Sequence, residues 1–128
     1  MTIHLDHLFV PSRNMRNSAT LLANLLGVPC EQGREGPFFA VYVNEGLTLD
    51  FIETQEQFPR HHYCFRVTQD EFNAIFGRIK AVGIKYGSEP GSEDMQINTR
   101  SGGSNIYWSE PDGHRWEMLT ISYARRAH

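Results

Sequence analysis

Asn105-Ile106-Tyr107-Trp108-Ser109-Glu110-Pro111-Asp112-Gly113-His114-Arg115-Trp116-Glu117-Met118-Leu119-Thr120 decides how this chain is read. Its centre, Pro111-Asp112-Gly113, is a turn. Proline presets φ at the first corner, aspartate bonds nearby backbone, and glycine takes a positive φ at no steric cost. The flanks, Asn105–Trp108 and Arg115–Thr120, read as two strands joined by Glu110–His114. Within the second flank one residue interrupts an otherwise apolar run: Glu117.

A matching hairpin stands in the first half. Phe38–Val43 and Leu47–Ile52 are strands joined by Asn44-Glu45-Gly46, and here the interrupting carboxylate is Asp50. Each hairpin follows a strand, a helix and a shorter strand. In the first half, residues 3–10 alternate and stop at Pro11. Ser18–Leu26 has helical spacing, with Asn17 or Ser12 as cap, Gly27 as terminator and Cys30–Gln32 as a short strand. In the second half His61–Val67 is a strand, and Thr68-Gln69-Asp70-Glu71 is a capping box. Phe72, Ile75, Phe76, Ile79 and Val82 form one helix face, Gly83 ends that helix, and Ile84–Tyr86 is a strand. His7 precedes Gly27 by 20 positions and His62 precedes Gly83 by 21. The order β-α-β-β-β is therefore written twice, with a split near Glu56–Arg60. The expectation is one α+β domain over residues 1–128, built of two modules of about 1–57 and 58–128. Gly87–Gly103 reads as a long loop; its stretch Glu89–Ser104 exceeds the usual length of a structureless connection and reads as a lid or a mobile flap, with Gly102-Gly103 as a permissive hinge.

Composition bounds the function. The 128 residues carry 12 Lys and Arg against 15 Asp and Glu, a formal charge of −3, which argues against nucleic acid or a polybasic membrane dock as partner. Cys30 and Cys64 are too few for a disulfide framework or a thiolate zinc site. The start of the chain has no signal-peptide pattern, and no stretch approaches the ~18 apolar residues of a membrane span. A cytoplasmic domain that meets a small molecule is expected.

Strand alternation sorts the candidate residues. Leu5, His7 and Phe9 share one face; His62, Cys64 and Arg66 share another, while Tyr63, Phe65 and Val67 face the helix. Each half thus offers one histidine on its first strand and one carboxylate on its last. A carboxylate facing a strand-lined cavity is costly unless it is paired or metal-bound. Two imidazoles and two carboxylates make a mixed N/O set for one divalent cation, with Zn, Ni, Mn and Fe all open.

These residues resemble the vicinal oxygen chelate superfamily, which includes glyoxalase I, fosfomycin-resistance proteins, bleomycin-resistance proteins and extradiol dioxygenases. The resemblance runs from Leu5-Asp6-His7-Leu8 through Leu25-Leu26-Gly27 and His62-Tyr63-Cys64-Phe65 to the Pro-Asp-Gly-His-x-x-Glu ending at Glu117. It implies two βαβββ modules forming an open, cup-shaped barrel, and metal ligation by His7, His62 and Glu117. Asp50 falls where glyoxalase I places a glutamate, and is either a direct ligand or a hydrogen-bond partner of a ligand imidazole. Tyr107 matches the active-site tyrosine of the fosfomycin-resistance enzymes. Leu21-Leu22 stands where an aromatic pair is usual, and Phe9 or Pro11, with Thr54, stands where glyoxalase I carries residues used for glutathione, so the substrate is not carried over.

The resulting expectation is a small metal-dependent enzyme of glyoxalase type. Its substrate chelates a divalent metal through two adjacent oxygens, by lyase, isomerase or transferase chemistry in preference to oxygenation. Glu117 moves a proton, or Asp50 if Glu117 stays on the metal, while Tyr107 orients substrate, acts as acid, or simply fills the wall. Phe9, Cys64, Arg66, Tyr107 and Arg100 are the substrate-binding candidates. Against them stand blander readings: Cys64 as a small buried hydrophobe, Arg66 and Arg100 as surface charges, His61 as a solvent-facing neighbour, His114 as structural, and His4 and His128 as exposed. The rival function is a metal-free binding protein of bleomycin-resistance type. A homodimer is expected, with an apolar edge such as Ile97 or Trp108.

Overall fold

The computed structural model describes residues 2–125, so His128 lies outside the described residues. The first half comprises β1 (His7–Ser12), α1 (Met15–Leu26), β2 (Cys30–Gln32), β3 (Phe38–Asn44) and β4 (Leu47–Glu53). The second repeats the order with β5 (His62–Arg66), α2 (Gln69–Val82), β6 (Tyr86–Gly87), β7 (Asn105–Ser109) and β8 (Arg115–Leu119). The chain divides into compact units Met1–Pro59 and Arg60–His128.

Both sheets have the same topology: β1-β4-β3-β2 in one and β5-β8-β7-β6 in the other. In each, the first strand pairs parallel with the last, and the remaining pairs are antiparallel. The parallel pairing needs a crossover, supplied by the helix and hairpin between the two strands. The fold is therefore α+β with two βαβββ modules, as the sequence pattern implies.

Period-two alternation gives each sheet a packed face. In the first unit Val10, Leu49, Phe51, Phe39 and Val41 are buried together with Ala19, Leu22, Ala23 and Leu25 of α1. In the second unit Trp108, Trp116, Ile106 and Met118 are buried. Tyr63 and Phe65 stack on Trp116 with centroids 4.7 and 5.9 Å away. Offset aromatic stacking of this kind adds about 0.5–1.5 kcal/mol to simple area burial. Phe76 of α2 meets Tyr86 edge-on at 4.9 Å.

Several local expectations change. Pro11 does not end β1, which runs to Ser12 with Pro11 opposite Ile52. As β1 is a sheet edge, a missing N–H there costs no ladder bond. Helix α1 starts before Ser18, at Met15, and its cap is Asn14, whose side chain accepts from the Asn17 N–H. Ser12 acts one step earlier: its buried hydroxyl accepts from the Asn14 N–H at 3.1 Å and donates to Ser18 Oγ. The capping box at Thr68 and Glu71 is present, and Gly27 and Gly83 end their helices in left-handed conformation. Strand β6 is only Tyr86–Gly87.

The long loop carries hydrogen bonds of its own and is joined to the sheet. Asp94 accepts from the Ser88 N–H and hydroxyl and from the Gln96 N–H, while Asn98 bonds the Ser88 carbonyl. The Asn98 N–H donates to the Asn105 carbonyl, joining the loop to β7. Gly103 packs closely on the segment after β8, where an added Cβ would lie 2.2 Å from Thr120 Oγ1. Trp108 is 3% exposed and supplies no dimer edge, whereas Ile97 is 40% exposed.

Candidate functional site

The duplicated register places the candidate pairs alike. His7 lies opposite Thr48, and Asp50 stands two residues further along β4. His62 lies opposite Arg115, and Glu117 stands two residues further along β8. A two-residue step keeps a side chain on the same face of a strand, so histidine and carboxylate share the face turned from the packed one.

In the first unit that face forms a hollow of about 320 Å³. His7, Phe9, Phe38, Tyr42, Thr48 and Asp50 are among the residues lining it. The cross-strand rows His7–Thr48–Tyr42 and Phe9–Asp50–Ala40 put them there. Phe9 is 52% exposed and stacks on Phe38 at 5.2 Å. The His7 Nδ1 turns to Asp6, 2.8 Å away, and not to Asp50. Asp50 is one methylene shorter than the glutamate at the equivalent position.

In the second unit the pair is in contact. Glu117 is fully buried, and the Nε2 of His62 donates to its Oε1 at 2.8 Å. Asn105 Nδ2 donates to Oε2 at 2.9 Å, and the Tyr123 hydroxyl lies 2.8 Å from Oε1 and 2.6 Å from Oε2. Three donor groups thus compensate the lost hydration of a buried carboxylate. Tyr107 of β7, 6% exposed, is the cross-strand partner of Glu117 on β8, with its hydroxyl 3.4 Å from that of Tyr123. Burial raises the Tyr107 phenol above the ordinary tyrosine range, which keeps it protonated and a donor.

The remaining candidates separate. Cys64 is exposed, not a buried hydrophobe, and desolvation, aided by the Glu117 charge, pushes its thiol up to about 12. That is the reverse of what a nucleophilic thiolate needs. Arg66 is exposed and shares the strand face of His62 and Cys64. Arg100 pairs with Glu89 and lines a second hollow, of about 210 Å³, with Asn98, Ser101, Asn105, Tyr107 and Tyr123. His61 is not simply a solvent-facing neighbour. Its Nδ1 meets the Tyr63 hydroxyl at 2.7 Å, and its N–H donates to Nδ1 of the fully buried His114. His114 is accordingly structural, its own N–H held by Glu110 Oε1.

Sequence reasoning missed Asn105 and Tyr123. Asn105 was findable, because alternation puts it on the face of Tyr107. Tyr123 was not, since it follows the last strand and no periodicity covers it. Among the described residues no group of three or more His, Cys, Asp and Glu side chains is close enough to hold an ion. Each unit contributes a histidine–carboxylate pair, and the imidazole and carboxylate donors of those pairs suit a divalent cation.

Comparison with known proteins agrees with this fold. Oxidase ChaP-H2 superposes with a TM-score of 0.89 at 35% identity, covering 97% of this chain and 98% of that one. Oxidase ChaP-H1 gives 0.87 at 37% identity, covering 97% and 100%. The glutathione transferase FosA of Serratia marcescens is 24% identical over 127 residues, 95% of this chain and 84% of its own. A variant of the fosfomycin resistance protein FosX of Listeria monocytogenes, complexed with Mn(II) and 1S,2S-dihydroxypropylphosphonic acid, shares the fold. Its TM-score is 0.70 at 18% identity, with 96% and 95% covered. No family model matches the sequence. The chain belongs to the vicinal oxygen chelate superfamily. Its relatives are enzymes, named as oxidases and a transferase.

Proposed function

We propose that this chain is a metal-dependent enzyme acting on a small molecule that offers two adjacent oxygens. The observation that carries the reading is Glu117, a fully buried carboxylate bonded to the imidazole of His62 on the open face of its sheet. A purely structural core has little use for so costly a group. The ligand set is His62 and Glu117 with His7, and Asp50 as a ligand or as a partner to one. A divalent ion bound there supplies Lewis acidity to a coordinated oxygen. Phe9, Arg66, Arg100 and Tyr107 meet the substrate, and Cys64 takes no nucleophilic part.

Oxidation joins the transferase, lyase and isomerase chemistries read from sequence, because the two relatives at 35% and 37% identity are named oxidases. No helix among the described residues is long and apolar enough to cross a membrane. A cytoplasmic homodimer using the exposed Ile97 and Met95 completes the proposal, and light scattering after size exclusion reads its mass.

The decisive experiment is metal analysis after supplementation with Zn(II), Mn(II), Ni(II) or Fe(II), on the wild type and on His7→Ala and Glu117→Gln. The expected result is about one ion per chain in the wild type and loss in both variants. Absence of stoichiometric metal in the wild type overturns the reading. Small-molecule binding that survives both EDTA and Glu117→Gln would install the metal-free binding protein instead.

A further inference from the structure

Four hydrogen-bond contacts reach the two oxygens of Glu117, and they are not equivalent. Oε1 is approached by His62 Nε2 at 2.8 Å and by the Tyr123 hydroxyl at 2.8 Å. Oε2 is approached by Asn105 Nδ2 at 2.9 Å and by the same hydroxyl at 2.6 Å. A phenol has one proton to give, and the shorter contact is to Oε2. Asn105 is itself fixed, since its amide also donates to the Met118 carbonyl at 3.0 Å and the residue is 8% exposed. Oε2 is thus held from two sides by neutral donors, one on β7 and one on the chain that follows β8. Oε1 is left as the oxygen turned to the His62 imidazole.

Tyr123 occupies an unusual place for such a role. It is 52% exposed, belongs to no strand or helix, and lines the second hollow beside Tyr107, Asn105 and Arg100. Its hydroxyl nevertheless reaches a carboxylate with no exposure of its own.

We infer that Tyr123 and Asn105 are positioning residues for Glu117: they pin Oε2, and so present Oε1 together with His62 Nε2 as one matched pair of donor atoms. This rests on the metal-site reading given above. Tyr123 touches no reacting atom in this role. It acts through the plane of the Glu117 carboxylate, as hydrogen-bonded partners of metal-binding carboxylates and imidazoles do in general.

The test is calorimetric titration of the metal-free protein with Mn(II) alone and Zn(II) alone. It compares the wild type with Tyr123→Phe, which keeps the ring and removes the hydroxyl, and with Asn105→Ala. Affinity is expected to fall about 10- to 100-fold in Tyr123→Phe, with stoichiometry unchanged. Unchanged or tighter binding in Tyr123→Phe overturns the inference while leaving the metal site standing. In the metal-free protein, the ¹⁵N signal of His62 Nε2 is expected to move on Tyr123→Phe, since a released carboxylate changes its bond to the imidazole. If the wild type binds neither ion, the metal reading fails. The ¹⁵N signal then decides alone whether Tyr123 sets Glu117, and an unmoved signal rejects it. Asn105→Ala guards against a folding defect peculiar to one variant, because both lesions converge on Oε2.

Discussion

Single residues carry the chemistry, and two of them give predictions free of any substrate. Cys64 faces the open side of its sheet next to Glu117, and its thiol is pushed up to about 12. At pH 8 its thiolate fraction is then roughly a ten-thousandth, against about a quarter for an ordinary thiol near 8.5. In a Cys30→Ser background, alkylation of Cys64 by iodoacetamide at pH 8 is expected to be far slower than that of a free-cysteine peptide. Adding Glu117→Gln should speed it by removing the neighbouring charge, and a fast reaction in the parent would refute the assignment. Glu110, in the turn before β8, is raised from 4.5 to about 7, first by burial and then by Asp112. Its pKa is higher folded than unfolded, so the native state binds the proton more tightly. Stability from this group is greatest below about pH 4.5 and declines as pH rises toward 7. Thermal melts across that window should show a decline that Glu110→Gln flattens; parallel profiles would remove Glu110 from the account.

At the scale of elements, glycine positions test how the second unit is assembled. A Cβ at Gly87 in β6 would lie 2.1 Å from the Ser92 carbonyl oxygen. That neighbour is backbone and cannot swing away, so Gly87→Ala should cost about 1–3 kcal/mol in denaturant unfolding. Gly77 in α2 is the opposite case, exposed and with nothing within 4 Å of an added Cβ. Gly77→Ala should stabilise by about 0.5–1 kcal/mol, because alanine loses less backbone entropy in a helix. Equal effects from the two substitutions would mean that the loop does not pack on β6 as described. Most element identities were legible in the sequence. The capping box at Thr68, the glycine stops and the two hairpins depend on neighbours a few residues away. What sequence misplaced was set by distant partners. Pro11 stays in β1 because of what does and does not pair with it, and the loop 88–104 is held by Asp94 and Asn98 rather than by any local signal.

At the scale of the whole molecule, the duplication organises both the fold and the candidate chemistry. Two sheets of identical strand order each carry a histidine and a carboxylate at matching register. Divalent metal is therefore expected to act as a stabilising ligand of the native state. At a free concentration 100 times its dissociation constant it should add about 2.7 kcal/mol, seen as a higher melting temperature. Glu117→Gln should abolish that increment, and an equal rise in both proteins would assign the ion to some other site.

The sequence by itself determined the β-α-β-β-β repeat and the faces of its strands. It also determined that His7 and Asp50 in one half and His62 and Glu117 in the other fall at equivalent positions, because period-two alternation and local turn chemistry are written in adjacent residues. Only the tertiary structure decided that His62 and Glu117 touch while His7 turns to Asp6. The same holds for the exposed Cys64 beside a buried carboxylate, and for Asn105 and Tyr123 closing on Oε2. Those outcomes depend on side-chain reach and on the path of the chain beyond β8, where a difference of one methylene or one turn of backbone decides whether two groups meet.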